Sequence, residues 1–187
     1  MYIDKSIVNI ALSRTREWIE QVVVGLNLCP FAAQPLMEER VRFSCCTETE
    51  MEGILQHLIS ELSWMGSEEG PQTTLVVIPS GLESFDRFLD LVGAAEDLLI
   101  ATGWDSQFQL AHFHPDYCFE GSEPTDLANH TNRSPYPVLH LLRVEDVARA
   151  IAAHPDTQGI PERNMAVLRD LGAAGLAELL ASSPSSD

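Results

Sequence analysis

The chain has 187 residues, of which 45% are apolar and 21% charged, a length and composition that suffice for one ordinary hydrophobic core. They exclude intrinsic disorder and a collagen-like fibre. Eleven Lys plus Arg stand against 28 Asp plus Glu, a net charge of −17 with Lys5 the only lysine, so polyanions such as nucleic acid and acidic membrane surfaces meet strong repulsion.

Met1 to Asp4 has no basic region of the kind that opens a secretory signal. Ile7, Ile10, Ala11, Trp18, Val22 and Leu26 recur at helical spacing, which predicts an amphipathic helix from Lys5 to about Asn27, stopped by Pro30. The uncharged stretch Gln21 to Met37 is broken by Gly25, Pro30 and Pro35 and does not span a bilayer. Arg40 to Cys46 alternates and reads as a strand with Val41, Phe43 and Cys45 inward, leaving Cys46 to touch the strand end. Thr47 and Glu50 have capping-box spacing ahead of the apolar stripe Met51, Ile54, Leu55, Leu58, Ile59 and Leu62. Thr73 to Ile78 is a nearly continuous apolar run, as in a strand covered on both faces. Ser80 and Glu83 repeat the capping spacing before a helix through Phe85, Phe88, Leu89, Val92 and Leu99, which Gly103 closes.

A third strand follows from Gln107 to about His114, then a long polar connection from Pro115 to Pro135, then a fourth strand from Pro137 to Leu142. The remainder reads as helix: Glu145 to Ala153, Pro161 to Leu171 and Ala173 to Ala181, with a frayed tail over 182–187. The expectation is one compact α/β domain over residues 1–187, with helices packed on about four mainly parallel strands, the last antiparallel. The four cysteines include the adjacent Cys45 and Cys46 and no C-x-x-C pair, which fits a reducing cytoplasm better than a disulfide scaffold or zinc ribbon.

Ligands of open α/β sheets bind outside the carboxyl ends of the strands. Those ends are Cys45 to Thr47, Pro79 to Gly81 and His112 to His114, and an antiparallel fourth strand brings Arg133 to Tyr136 to the same edge. His112 and His114 share one face of their strand and, with Asp116, form H-x-H-x-D. These three could hold a divalent metal, with His130, Glu120 or Asp126 as a further ligand. A plainer alternative has one histidine packed in the core with its nitrogens satisfied. His140 lies well inside the fourth strand and reads as a core residue. Arg133, the only cation between Arg87 and Arg143, either pairs with Asp126 or Glu120 or holds a small carboxylate or phosphate. Ser134 and the helix start at Ser80-Gly81 would assist that anion. Cys29 follows the C-terminal end of a helix, a position that disfavours a thiolate, so it reads as inert in preference to a nucleophile or a haem thiolate.

Leu26-Asn27-Leu28-Cys29-Pro30-Phe31-Ala32, Phe113-His114-Pro115-Asp116-Tyr117 with Phe119-Glu120-Gly121, Asn132-Arg133-Ser134-Pro135-Tyr136-Pro137 running into Leu139 to Arg143, and Ile160-Pro161-Glu162-Arg163-Asn164 carry a family resemblance. The chain resembles the uncharacterised bacterial family catalogued as domain of unknown function 1415. The resemblance covers most of the chain and implies no activity.

Taken together, the residues suggest a cytoplasmic enzyme acting on a small anionic metabolite. In that reading His114 and His112 serve as acid-base or metal-binding groups, Asp116 orients or ligates, and Arg133 with Ser134 holds the anion. The competing class is a non-catalytic ligand-binding or protein-interaction module.

Overall fold

The computed structural model describes residues 5–181. Expectations that fall on residues 1–4 and 182–187, the start and the frayed tail, lie outside the described residues. Four strands form one sheet: β1 (Val41–Cys45), β2 (Thr73–Val77), β3 (Phe108–Phe113) and β4 (Val138–Arg143). Their order is β1-β2-β4-β3, with β1 and β2 parallel and β4 antiparallel to both β2 and β3.

The expectation of a mainly parallel sheet is therefore corrected to a mixed one. The first three strands do point the same way, but β3 leaves a gap beside β2 and β4 fills it. Only one pair is parallel in consequence. β4 suits that inner position because Val138, Leu139 and Leu141 are all buried, as a strand covered on both faces requires.

One face of the sheet carries α3 (Met51–Met65) and α4 (Phe85–Thr102), which close over Cys46, Val76, Ile78, Leu139 and Leu141. The other face carries α1 (Lys5–Trp18), which runs on through a π-helical turn, Ile19–Val24. Trp18, Val22 and Val23 pack there on Leu75, Val77 and Val138, with Val167 and Leu179 alongside. The two cysteines at the end of β1 exchange their expected places: Cys46 is fully buried under the α3/α4 layer and Cys45 only half-buried. Both faces of β1 are covered, so alternation alone does not tell which face is better sealed.

Helix starts also shift. α3 begins after Glu50 with no side-chain cap, and α4 begins after Ser84, whose Oγ accepts from the Arg87 N–H. Gly103, at φ 72°, ends α4 in the left-handed conformation that glycine tolerates without a Cβ penalty. A short α2 (Ala33–Met37) precedes β1, and α5 (Val144–Ala153) and α6 (Ile160–Ala181) close the chain. Gly172, at φ 69° and ψ 171°, breaks α6 between the two helices expected on either side of it. Among the described residues no helix is long and apolar enough to cross a membrane.

Candidate functional site

The carboxyl ends of β1, β2 and β3 and the start of β4 lie in one row: Cys45 pairs with Val77, Val77 with Val138 and Val138 with Phe113. The connection after β3 returns to this edge, where the His114 N–H donates to the Asn132 carbonyl at 3.1 Å. The segments bearing His114 and Arg133 are thus neighbours.

Period-two alternation divides the end of β3 between the two faces. His112 and His114 turn towards α4, with ring centroids 6.0 and 5.1 Å from Phe88. Phe113 turns towards α1 and meets Trp18 edge-on at 5.1 Å. His114 is buried, and its Nε2–H donates to the Leu82 carbonyl at 2.9 Å while Nδ1 accepts from the Asp116 N–H at 3.0 Å. A carbonyl oxygen only accepts, so His114 is held as the neutral Nε2–H tautomer with both nitrogens in use. The His112 ring stacks on Tyr117 at 5.6 Å, and its Nδ1 is buried without a partner. Burial pushes the His112 pKa down, with Glu96 opposing. The Asp116 residue is exposed, and it contributes its backbone N–H to His114. Among the described residues no group of three His, Cys, Asp or Glu side chains is placed to hold a metal ion.

Arg133 points into its own loop. Its Nε donates to the Tyr117 carbonyl at 3.0 Å, Nη2 to the Pro124 carbonyl at 2.8 Å, and Nη1 lies 3.3 Å from His130 Nε2. Burial and the Arg133 charge lower the His130 pKa, which suits an unprotonated acceptor there. Asp126 caps the following 3-10 turn, Leu127–Thr131, and pairs with Arg169 of α6 at 3.1 Å, in place of the expected pairing with Arg133. The Ser134 hydroxyl donates to the Tyr136 carbonyl. The Gly81 N–H, expected to face an anion, donates to Glu83 Oε1 at 2.9 Å. Arg133, Ser134 and the Gly81 N–H are thus each engaged by the protein itself.

A second polar cluster joins β1 to α3. Arg42 grips Glu61 in a two-point fork, Nε to Oε2 at 2.7 Å and Nη2 to Oε1 at 3.0 Å, and its guanidinium lies 4.1 Å from the Trp64 ring centre. The Ser44 hydroxyl donates to Glu61 Oε1 at 2.7 Å and lies 2.9 Å from His57 Nε2. Burial raises the Glu61 pKa, but the hydrogen bonds from Arg42 and Ser44 outweigh it and leave the carboxyl below its ordinary value. The spacing of Arg42 with Ser44 on a strand, and of His57 with Glu61 on a helix, is visible in the sequence; their meeting is tertiary. With Ser44 and Glu61 both buried, the cluster ties α3 to β1.

The described chain also has an uncharged cleft of about 460 Å³ on the Phe113 face. Its wall is built from Val23, Leu28 and Cys29 after the π-helical turn, Phe113 at the end of β3, Phe119, Thr131 and Asn132 in the long connection, and Ile160, Pro161, Asn164 and Met165 in α6. Asn27, at φ 52°, turns the chain so that Leu28 and Cys29 reach this wall. Asn164 Nδ2 donates to the Leu28 carbonyl at 2.6 Å and fixes α6 against that turn. Burial pushes the Cys29 thiol up, and the backbone N–H groups of Phe31 and Ala32 only partly oppose it, so the sulfur enters the wall as a protonated, weakly polar group. No periodicity in the sequence brings α6 to Cys29, although each of these segments contributes to the family likeness.

A family model described as protein of unknown function (DUF1415) matches residues 10–178. No curated protein and no solved structure matches the chain.

Proposed function

The chain belongs to the DUF1415 family, whose description assigns no activity, and we propose that it binds a small, uncharged, largely apolar molecule in the cleft between β3, the turn at Cys29 and α6. The observation that carries this reading is convergence: four segments far apart in sequence supply one concave wall without a single Asp, Glu, Lys, Arg or His. Small-molecule sites are typically concave, mostly apolar and equipped with a few polar groups that fix orientation. Here those groups are Thr131, Asn132, Asn164 and the Cys29 thiol. A carboxylate or phosphate entering such a wall would lose its hydration with no cation to replace it.

Binding rather than turnover is the reading favoured. The His114 nitrogens and the Arg133 guanidinium are committed to internal hydrogen bonds, and the Cys29 thiol is held protonated. The anionic-metabolite reading keeps a place as the outcome that would displace this one.

The test is a fragment screen by amide-detected NMR, with equal numbers of neutral apolar compounds and small carboxylates or phosphates. Neutral compounds should shift Leu28, Cys29, Asn132 and Asn164 and be lost in Ile160→Trp, which fills the cleft. Anions that bind wild type and shift the Arg133 side-chain N–H resonance in preference to the cleft amides would overturn the proposal in favour of an anion site.

A further inference from the structure

Within the cleft wall Asn164 is 8% exposed, and its amide is only half used. Nδ2 donates to the Leu28 carbonyl at 2.6 Å, and because a carbonyl cannot donate, this contact fixes which end of the amide is which. Oδ1 is therefore the free end, buried and without a hydrogen-bond partner. The other amide of the wall differs. Asn132 Nδ2 donates to the His112 carbonyl at 3.3 Å, and its Oδ1 accepts from the Thr131 hydroxyl at 3.2 Å. A buried acceptor left unpaired is costly, and its cost is recovered by any partner that brings a donor.

Resting on the cleft reading above, we infer that the ligand carries an N–H or O–H donor at its polar end, a primary amide, lactam or alcohol, which hydrogen-bonds to Asn164 Oδ1 while its apolar body lies against Phe113 and Leu28. Oδ1 is closed to bulk solvent, so the proposal requires the Asn164 side chain to turn Oδ1 towards the cleft when a donor enters. Selectivity follows from the same geometry. A site that offers a lone acceptor rewards a donor and gains nothing from a ligand that can only accept, so two molecules of equal shape separate by their donor alone.

Three probes built on one phenylacetyl frame make the test: 2-phenylacetamide, its N,N-dimethyl derivative, and phenylacetate. They are titrated by NMR against the full chain and against Asn164→Leu. The primary amide should bind at least about tenfold more tightly than the dimethyl amide, and the preference should vanish in Asn164→Leu. Equal binding of the two amides to wild type, with shifts at Leu28 and Cys29, overturns the donor inference and leaves the cleft reading standing. No shift in the cleft with any probe at millimolar concentration overturns the cleft reading and this inference with it. Tighter binding of phenylacetate overturns both. If Asn164→Leu fails to fold, the wild-type comparison decides, together with the Asn164 side-chain amide resonances, which should move with the primary amide and stay still with the dimethyl one.

Discussion

At the scale of single residues, His114 and His140 are held by hydrogen bonds on their ring nitrogens. His140 stands in β4 with its ring 6.3 Å from Phe113, and its Nε2 lies 2.6 Å from the Thr73 hydroxyl, which itself donates to the Leu141 carbonyl. His140 must therefore be the donor to Thr73. Although its surface is not fully closed, its surroundings are apolar enough that burial lowers its pKa from 6.5 to about 4. The unfolded chain takes up a proton on this ring as the pH falls through about 6.5, whereas the folded chain refuses it until about pH 4. Stability is therefore full above the upper value and is lost across that window, by roughly 3 kcal/mol at about 1.36 kcal/mol per unit. His57, His112 and His130 are lowered as well and act with the same sign. Urea unfolding of His140→Phe should show a weaker loss of stability between pH 7 and pH 4.5 than wild type, by about 2 kcal/mol. An unchanged pH dependence would contradict the burial of this ring. His140 is legible in the sequence as a core residue. The use of both His114 nitrogens is not, because Leu82 lies 32 positions away.

At the scale of elements, the connection between β3 and β4 behaves as a folded unit stapled by one guanidinium. Arg133 ties together the carbonyls of Tyr117 and Pro124, Asn129 Nδ2 reaches the Glu123 carbonyl at 2.9 Å, and Asp126 fastens the unit to Arg169 of α6. Hydrogen bonds from a charged donor contribute about 1.5–3 kcal/mol, so Arg133→Ala should open this loop without unfolding the sheet. Hydrogen exchange should accelerate at least tenfold over residues 116–134 and remain near wild type in β2 and β4. Arg133→Lys should not restore protection, because a single ammonium lacks the planar fork that spans two carbonyls. Uniform acceleration across the chain would show the staple to be part of the global fold instead. Helical stripes made α1, α3 and α4 legible, since burial of one face at 3.6-residue spacing leaves a pattern in the residues themselves. Cap positions were less so. Glu83 has capping-box spacing from Ser80, yet its carboxylate accepts from the Gly81 N–H while Ser84 caps α4, a choice decided by the path out of β2.

At the scale of the whole molecule, a net charge of −17 on 187 residues opposes compaction. Screening should relieve this. Raising NaCl from 20 to 300 mM shortens the Debye length from about 20 Å to about 6 Å, and Tm should rise by roughly 3–6 °C. A flat or falling Tm would mean that the acidic residues are already compensated locally. The cleft differs from this acidic surface in having an uncharged wall.

The sequence by itself determined the helices α1, α3, α4, α5 and α6, the four strands and the direction of the first three, because local periodicity and burial are written in adjacent residues. It also marked the long connection after β3 as special. Only the tertiary structure decided the strand order, since β4 enters the gap beside β2 by pairing across 61 to 69 positions, and no local pattern encodes which edge a strand joins. Tertiary structure likewise decided which face of β3 meets the cleft. One residue of alternation separates Phe113 from His112 and His114, and the arrival of α6 on the Phe113 side, where Asn164 reaches the Leu28 carbonyl, turns that residue into a cleft wall.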